Sequence, residues 1–172
     1  MASRYELETT SQAAVIAFST NAYNAVPLGS NNTALSFASA VNNIPYYKGG
    51  TRIDLALHRA YKKYFSSEDS NGTQKLVILL TDGKQSPSPP YISIEYTVQR
   101  LRSKAARIFA VTIGNNTDMS TMRIVTEDDN DIFQVTEFND LVAKADTISK
   151  ISCVDARELF SFVYIMQKII YF

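Results

Sequence analysis

The chain has 172 residues, 45% hydrophobic and 20% charged. This is too apolar for a disordered chain, and the length suits one domain that buries roughly 70% of its unfolded surface. Seventeen basic residues cancel seventeen acidic ones, which argues against a nucleic-acid binder and a polybasic membrane-surface protein, and a lone cysteine, Cys153, excludes an internal disulfide or a cysteine zinc cluster.

The start, MASRYELETTSQ, is polar and lacks the apolar core of a secretory signal. Taken literally, it keeps the chain in the cytosol. The first apolar run is Ala13 to Phe18, followed by Ser19-Thr20-Asn21. A weaker pattern predicts a helix over Thr33–Asn43. Gly49-Gly50 then introduces Ile53, Ala56, Leu57, Ala60, Tyr61 and Tyr64, whose three- and four-residue spacing lines one face of a helix. The second run, Leu76 to Leu80, leads into Thr81-Asp82-Gly83. Ile94, Val98, Leu101 and Ala105 mark another helix, Ile108 to Ile113 a third run ending at Gly114, and Phe138, Leu141, Val142, Ala145 and Ile148 a last helix. Short, nearly continuous apolar runs suit strands covered on both faces. Alternating with helices, they predict an α/β fold with a doubly wound, mostly parallel sheet flanked by helices. From Ala156 to Phe172, twelve of seventeen residues are apolar, but this stretch is shorter than the ~20 needed to span a bilayer and carries Arg157, Glu158 and Lys168. No membrane span is predicted.

In such sheets ligands sit beyond the carboxyl ends of the strands, so the residues just after each run matter most. Asp82 has two readings: a hard oxygen ligand for a divalent cation, or a turn residue accepting backbone N–H bonds. Thr51 reads as a helix N-cap with Asp54 completing a capping box, a role compatible with a second lone pair serving a ligand. Gly49 and Gly50 would let the backbone approach a metal or partner closely. The acidic run Glu127, Asp128, Asp129, Asp131 lacks the central glycine and terminal glutamate of a calcium loop and reads as a solvated turn. The lone histidine, His58, falls off the main apolar stripe, and no Ser/His/Asp set, dinucleotide fingerprint or P-loop is present. Enzyme chemistry and a small-molecule substrate are therefore not expected. Asn31, Asn71 and Asn115 each open a glycosylation sequon in a predicted loop, and occupied glycans there would mark a secreted chain.

The order of AAVIAFST, IPYYKGGTRIDLAL, KLVILLTDGKQS, ARIFAVTIG and IFQVTEFNDL resembles the von Willebrand factor type A domain. The flavour is that of the extracellular versions in matrilins and collagen-associated chains. The resemblance places the domain at 1–153 and leaves 154–172 as an apolar tail. It implies a Rossmann-like fold and a non-enzymatic adhesion module whose Mg²⁺, held by three loops, is completed by a carboxylate from a protein ligand such as collagen or another matrix protein. Thr51 matches the family's second-loop threonine and Asp82 its third-loop aspartate. Ser19, Gly49, Gly50 and Gly83 fall in the ligand-face loops. The first loop, Asp-x-Ser-x-Ser, does not occur in this sequence, so the metal site is expected to be a remnant. By the same comparison, the family's first, central strand is expected to be missing between AAVIAF and LVILL. LFSFVYIM, Leu159 to Met166, either fills that position or is foreign to the domain. An extracellular location follows from the resemblance; the alternative is an intracellular type A domain serving as an interaction scaffold.

Overall fold

The computed structural model describes residues 11–30, 33–67, 74–136, 140–141, 144, 147–148 and 160–167. Among the described residues, six strands form one sheet: β1 (Ser11–Phe18), β2 (Ala22–Val26), β3 (Gln74–Thr81), β4 (Ala106–Ile113), β5 (Ile132–Val135) and β6 (Phe160–Gln167). Their spatial order is β2-β1-β6-β3-β4-β5. All neighbours are parallel except β1 and β2, which pair antiparallel. The predicted apolar runs are the buried middles of β1, β3 and β4, covered on both faces as parallel strands require.

The central position expected to be vacant is filled. β6 runs parallel to both neighbours, with Ala14 and Val77 each opposite Val163 and Ile16 opposite Ile165. Of the two readings of LFSFVYIM, the one that places it in the position of the family's first strand holds. The unpaired N–H and C=O groups that a gap would leave on β1 and β3 are satisfied by the tail instead. Val163 and Ile165 are fully buried. Directly after Gln167 the sequence reads KIIYF.

Among the described residues, the helices α1 (Ala34–Asn42), α2 (Ile53–Ala60), α3 (Ile94–Arg102) and α4 (Met119–Thr126) flank the sheet. The backbone is also helical at Asp140, Leu141, Lys144, Thr147 and Ile148, within the predicted last helix, whose Phe138, Val142 and Ala145 lie outside the described residues. Local chemistry sets the helix starts. Thr33 and Ser36 cap α1 reciprocally, Ser93 accepts from the Tyr96 N–H at α3, and Asp118 accepts from Ser120 at α4. A π-helical turn, Tyr61–Phe65, continues α2. On one face Phe18, Leu57, Leu101 and Met122 pack with Ile165; on the other Val15, Phe37, Phe109 and Ile148 form the second core. Among the described residues no helix is long and apolar enough to cross a membrane.

The acidic run is not simply solvated. Asp131 is buried and takes a 2.7 Å bond from Arg107, while Asp129 pairs with Arg123 and Glu127 with Arg102. These arginines come from β4, α4 and α3, so the run ties helices to the sheet.

Candidate functional site at the carboxyl edge

Because β1, β6, β3, β4 and β5 are parallel, their carboxyl ends share one edge of the sheet. Three loops meet there. Ser19 and Thr20 follow β1, Gly49 to Arg52 lead into α2, and Asp82 to Pro90 follow β3. They are stitched by backbone bonds: the Arg52 N–H donates to Ser19 O at 2.9 Å, and the Ser86 N–H to Thr51 O at 2.9 Å. The Gly50 N–H donates to Thr20 Oγ1 at 3.0 Å and the Thr51 N–H to Ser86 Oγ at 3.3 Å.

Two glycines make this approach possible. Gly49 has φ +142°, and a Cβ there would lie 2.1 Å from Thr20 Oγ1. No side chain fits that position without moving the loop. A Cβ on Gly83 would come within 2.9 Å of Thr51 Oγ1, so the backbone beside Asp82 is drawn against the Thr51 side chain. Thr51 and Gly83, from separate loops, are thus brought together, with Ser19 buried alongside. Asn115 is exposed in the loop after β4, whereas Asn31 and Asn71 lie outside the described residues.

Thr51 does not cap α2. The N-cap is Arg52, with no side-chain cap bond, and Asp54 completes no capping box. The Asp54 carboxylate is instead committed to Arg52. Arg52 Nε donates to Oδ1 and Nη2 to Oδ2, both at 2.8 Å. Gln85 Nε2 donates to the same Oδ1 at 2.7 Å while its Oε1 accepts from the Asp54 N–H at 3.3 Å. Arg52 also donates to Ser88 Oγ and to Pro90 O, each at 2.7 Å. Both charged residues are 2% exposed. Burial pushes the Asp54 carboxyl up, but bonds from Arg52 and Gln85 overcome this and hold it below the ordinary aspartate range. Sequence reading placed Thr20 among the residues after the first run but missed Arg52, Gln85 and Ser88. The signal available was an Arg and an Asp two positions apart in an otherwise apolar helix start; their partners lie more than thirty positions on.

Asp82 contrasts with Asp54. It is half-buried, and burial raises its pKa, offset only in part by its own backbone N–H. No cationic side chain pairs with it among the described residues. Nor does any group of three or more His, Cys, Asp or Glu side chains converge among them to hold a metal. The recognised donors at this edge are one carboxylate, Asp82, and the Thr51 hydroxyl, with Ser19 nearby. A hard divalent cation takes about six oxygen ligands and draws most of its affinity from carboxylates. Among the described residues, the donors recognised at this edge are fewer than that.

The sequence profile of the von Willebrand factor type A domain matches residues 2–147. The chain is 26% identical over 114 residues to the human collagen alpha-1(XXI) chain, covering 66% of this chain and 11% of that one. It is 24% identical over 147 residues to the mouse collagen alpha-4(VI) chain, covering 83% and 6%. It therefore spans a small part of either collagen. Among solved structures, proximal thread matrix protein 1 from the mussel byssus superposes with a TM-score of 0.71 at 25% identity, over 83% of this chain and 34% of that one. Another structure of that protein, with its MIDAS (metal-ion-dependent adhesion site) motif occupied by zinc, gives 0.72 at 26%, over 83% and 35%.

Proposed function

Because the chain belongs to the von Willebrand factor type A family, we propose that it is a non-enzymatic protein-binding module of the extracellular-matrix kind whose metal adhesion site is degenerate. The observation that carries this reading is the division of labour between the two edge carboxylates. Asp54 is spent on Arg52 and Gln85, and Asp82, next to the Gly83 that lies against Thr51, has no cationic partner among the described residues. The three loops are tied to one another by internal hydrogen bonds. The short donor set is why Mg²⁺ plays no assigned part in binding. His58, the chain's one histidine, sits on α2 beside Lys62 and not at this edge, which supports the absence of acid–base chemistry there. An exposed Asn115 sequon and the collagen relatives support a secreted location over the intracellular scaffold alternative. We take β6 as an integral part of the domain, extending it past residue 153.

Isothermal calorimetry with Mg²⁺ and Zn²⁺ on the 172-residue chain tests the reading. The expected result is no saturable binding in the micromolar range. Micromolar affinity that disappears in Asp82→Ala would show a working metal site and overturn it.

A further inference from the structure

Among the described strands, β6 is connected unlike the others. β1 and β2 are joined by the short turn at residues 19–21, and β3, β4 and β5 follow one another across the sheet through α3 and α4. Both neighbours of β6 are remote in the chain. It begins more than seventy positions after β3 ends, and β5, the strand before it, lies at the far edge of the sheet. Residues 149–159 separate it from Ile148, which is buried in the second core.

The slot that β6 fills is specific. Phe160 to Gln167 pair one by one with Ser11 to Phe18, and Phe160 to Met166 with Gln74 to Leu80, with no shift of register. Val163 and Ile165 are buried in the first core, while Tyr164 and Met166 pack against the second, Tyr164 with its ring 5.9 Å from that of Phe37. A one-residue slip would turn each set toward the wrong core. The slot therefore selects the β6 sequence. It does not select whose β6 it is, because a second copy of the chain offers the same ladder and the same side chains.

The order of assembly leaves that choice open. β6 gains its two ladders only once β1 and β3 stand one strand apart, and pairing over such separations is the slow part of folding. Until then β1 and β3 present facing rows of unpaired N–H and C=O groups, the kind of edge to which another chain adds.

We propose that two copies of this chain exchange β6 during folding, each inserting it between β1 and β3 of the other. The partner is thus a second copy, and the two-fold dimer repeats every contact of the monomer's sheet. Fully extended, residues 149–159 reach about 40 Å, more than the roughly 30 Å width of a small domain, so the strand can cross to a neighbouring copy. Once β6 is seated, leaving requires both ladders to break. Chain concentration during folding then sets the ratio of dimer to monomer, and the two interconvert slowly afterwards.

Refolding the 172-residue chain from urea at about 1 μM to about 1 mM, followed by size-exclusion chromatography with light scattering, tests this. The dimer fraction should rise at least about fivefold over that range and survive dilution of the folded protein. Ala17 and Met166 are register partners on the second core, and adjacent strands place such Cα atoms about 4.8 Å apart, within disulfide range. With Cys153 replaced by Ser, one chain carries Ala17→Cys and another Met166→Cys. Refolded together at high concentration and oxidised, the two should become linked, because β6 of one chain lies beside β1 of the other. Both substitutions in a single chain, refolded dilute and oxidised, should close a disulfide within the monomer and so confirm that the variants fold with β6 in place. That locked chain, unfolded in urea and refolded at about 1 mM without reductant, should stay monomeric. Ala14→Cys with Val163→Cys is a second register pair for the same measurements. Three results would overturn the proposal: monomer at every refolding concentration, a dimer whose two variant chains never become linked, or a locked chain that dimerises as readily as the parent.

Discussion

Arg52 and Arg59 belong to one stretch of chain, yet they meet opposite fates. Arg52 is 2% exposed and donates to Asp54, Ser88 and Pro90. Arg59 is exposed, with no ion pair among the described residues. Burial is the difference. A guanidinium taken out of water must be neutralised and hydrogen-bonded or it costs several kcal/mol, whereas a solvated one needs no partner and stays available to a ligand. At the carboxyl edge Arg52 and Asp54 hold their own loops together, whereas Arg59 on the outer face of α2 is left to solvent. This contrast can be broken at either end.

The largest effect is expected at Asp54. Asp54→Ala leaves Arg52 buried and unpaired, and should destabilise the chain by about 3–5 kcal/mol in urea denaturation. The linkage has a definite sign. A carboxyl held below its unfolded pKa adds stability above that value and loses it as pH falls through the folded pKa, so the Arg52–Asp54 contribution should fade below about pH 4. Wild type and Asp54→Ala should therefore converge in stability in strong acid.

Asp82 should behave in the reverse sense. Its folded pKa is raised by burial, so stability is lost as pH rises from the unfolded aspartate value through the folded one. Asp82→Asn should raise the melting temperature by about 1–3 °C at pH 7, with the gain vanishing below about pH 4. A fall at pH 7 would mean that the carboxylate has a favourable partner in the folded chain.

The smallest effect belongs to Arg59. Arg59→Ala should change stability by no more than about 0.5 kcal/mol, as expected of a solvated surface charge. A chemical denaturation curve shifted well beyond that would place Arg59 among the structural arginines and end the contrast with Arg52.

Much of the fold was legible because apolar runs and helical spacing are local signals. Ala13 to Phe18, Leu76 to Leu80 and Ile108 to Ile113 are strand middles, and the stripe from Ile53 onward is α2. Three elements escaped for local reasons, one of them β5, a strand of only four residues. β2, with the sequence AYNAV, is five residues with one solvated edge and carries no continuous apolar run. α4 opens on a polar stretch and buries only Met122, Val125 and Thr126, too few to mark a stripe. At the site, Thr51 and Asp82 stood out because each follows a recognisable loop signal. The bond from Arg52 to Asp54 did not, because its shape depends on Gln85, Ser88 and Pro90 closing over it from another loop.

By itself the sequence determined the long apolar strands and the strongly amphipathic helices, and which residues stand at the ends of those strands. Those properties depend on spacing within a few residues. Strand order was decided only by the tertiary structure. The apolar period of LFSFVYIM says that it is buried, but nothing within it says beside what. β6 lies between β1 and β3 because those two strands offer unpaired backbone on facing edges, and a parallel apolar strand satisfies both at once. That placement is a contact between distant parts of the chain, and local pattern carries no record of it.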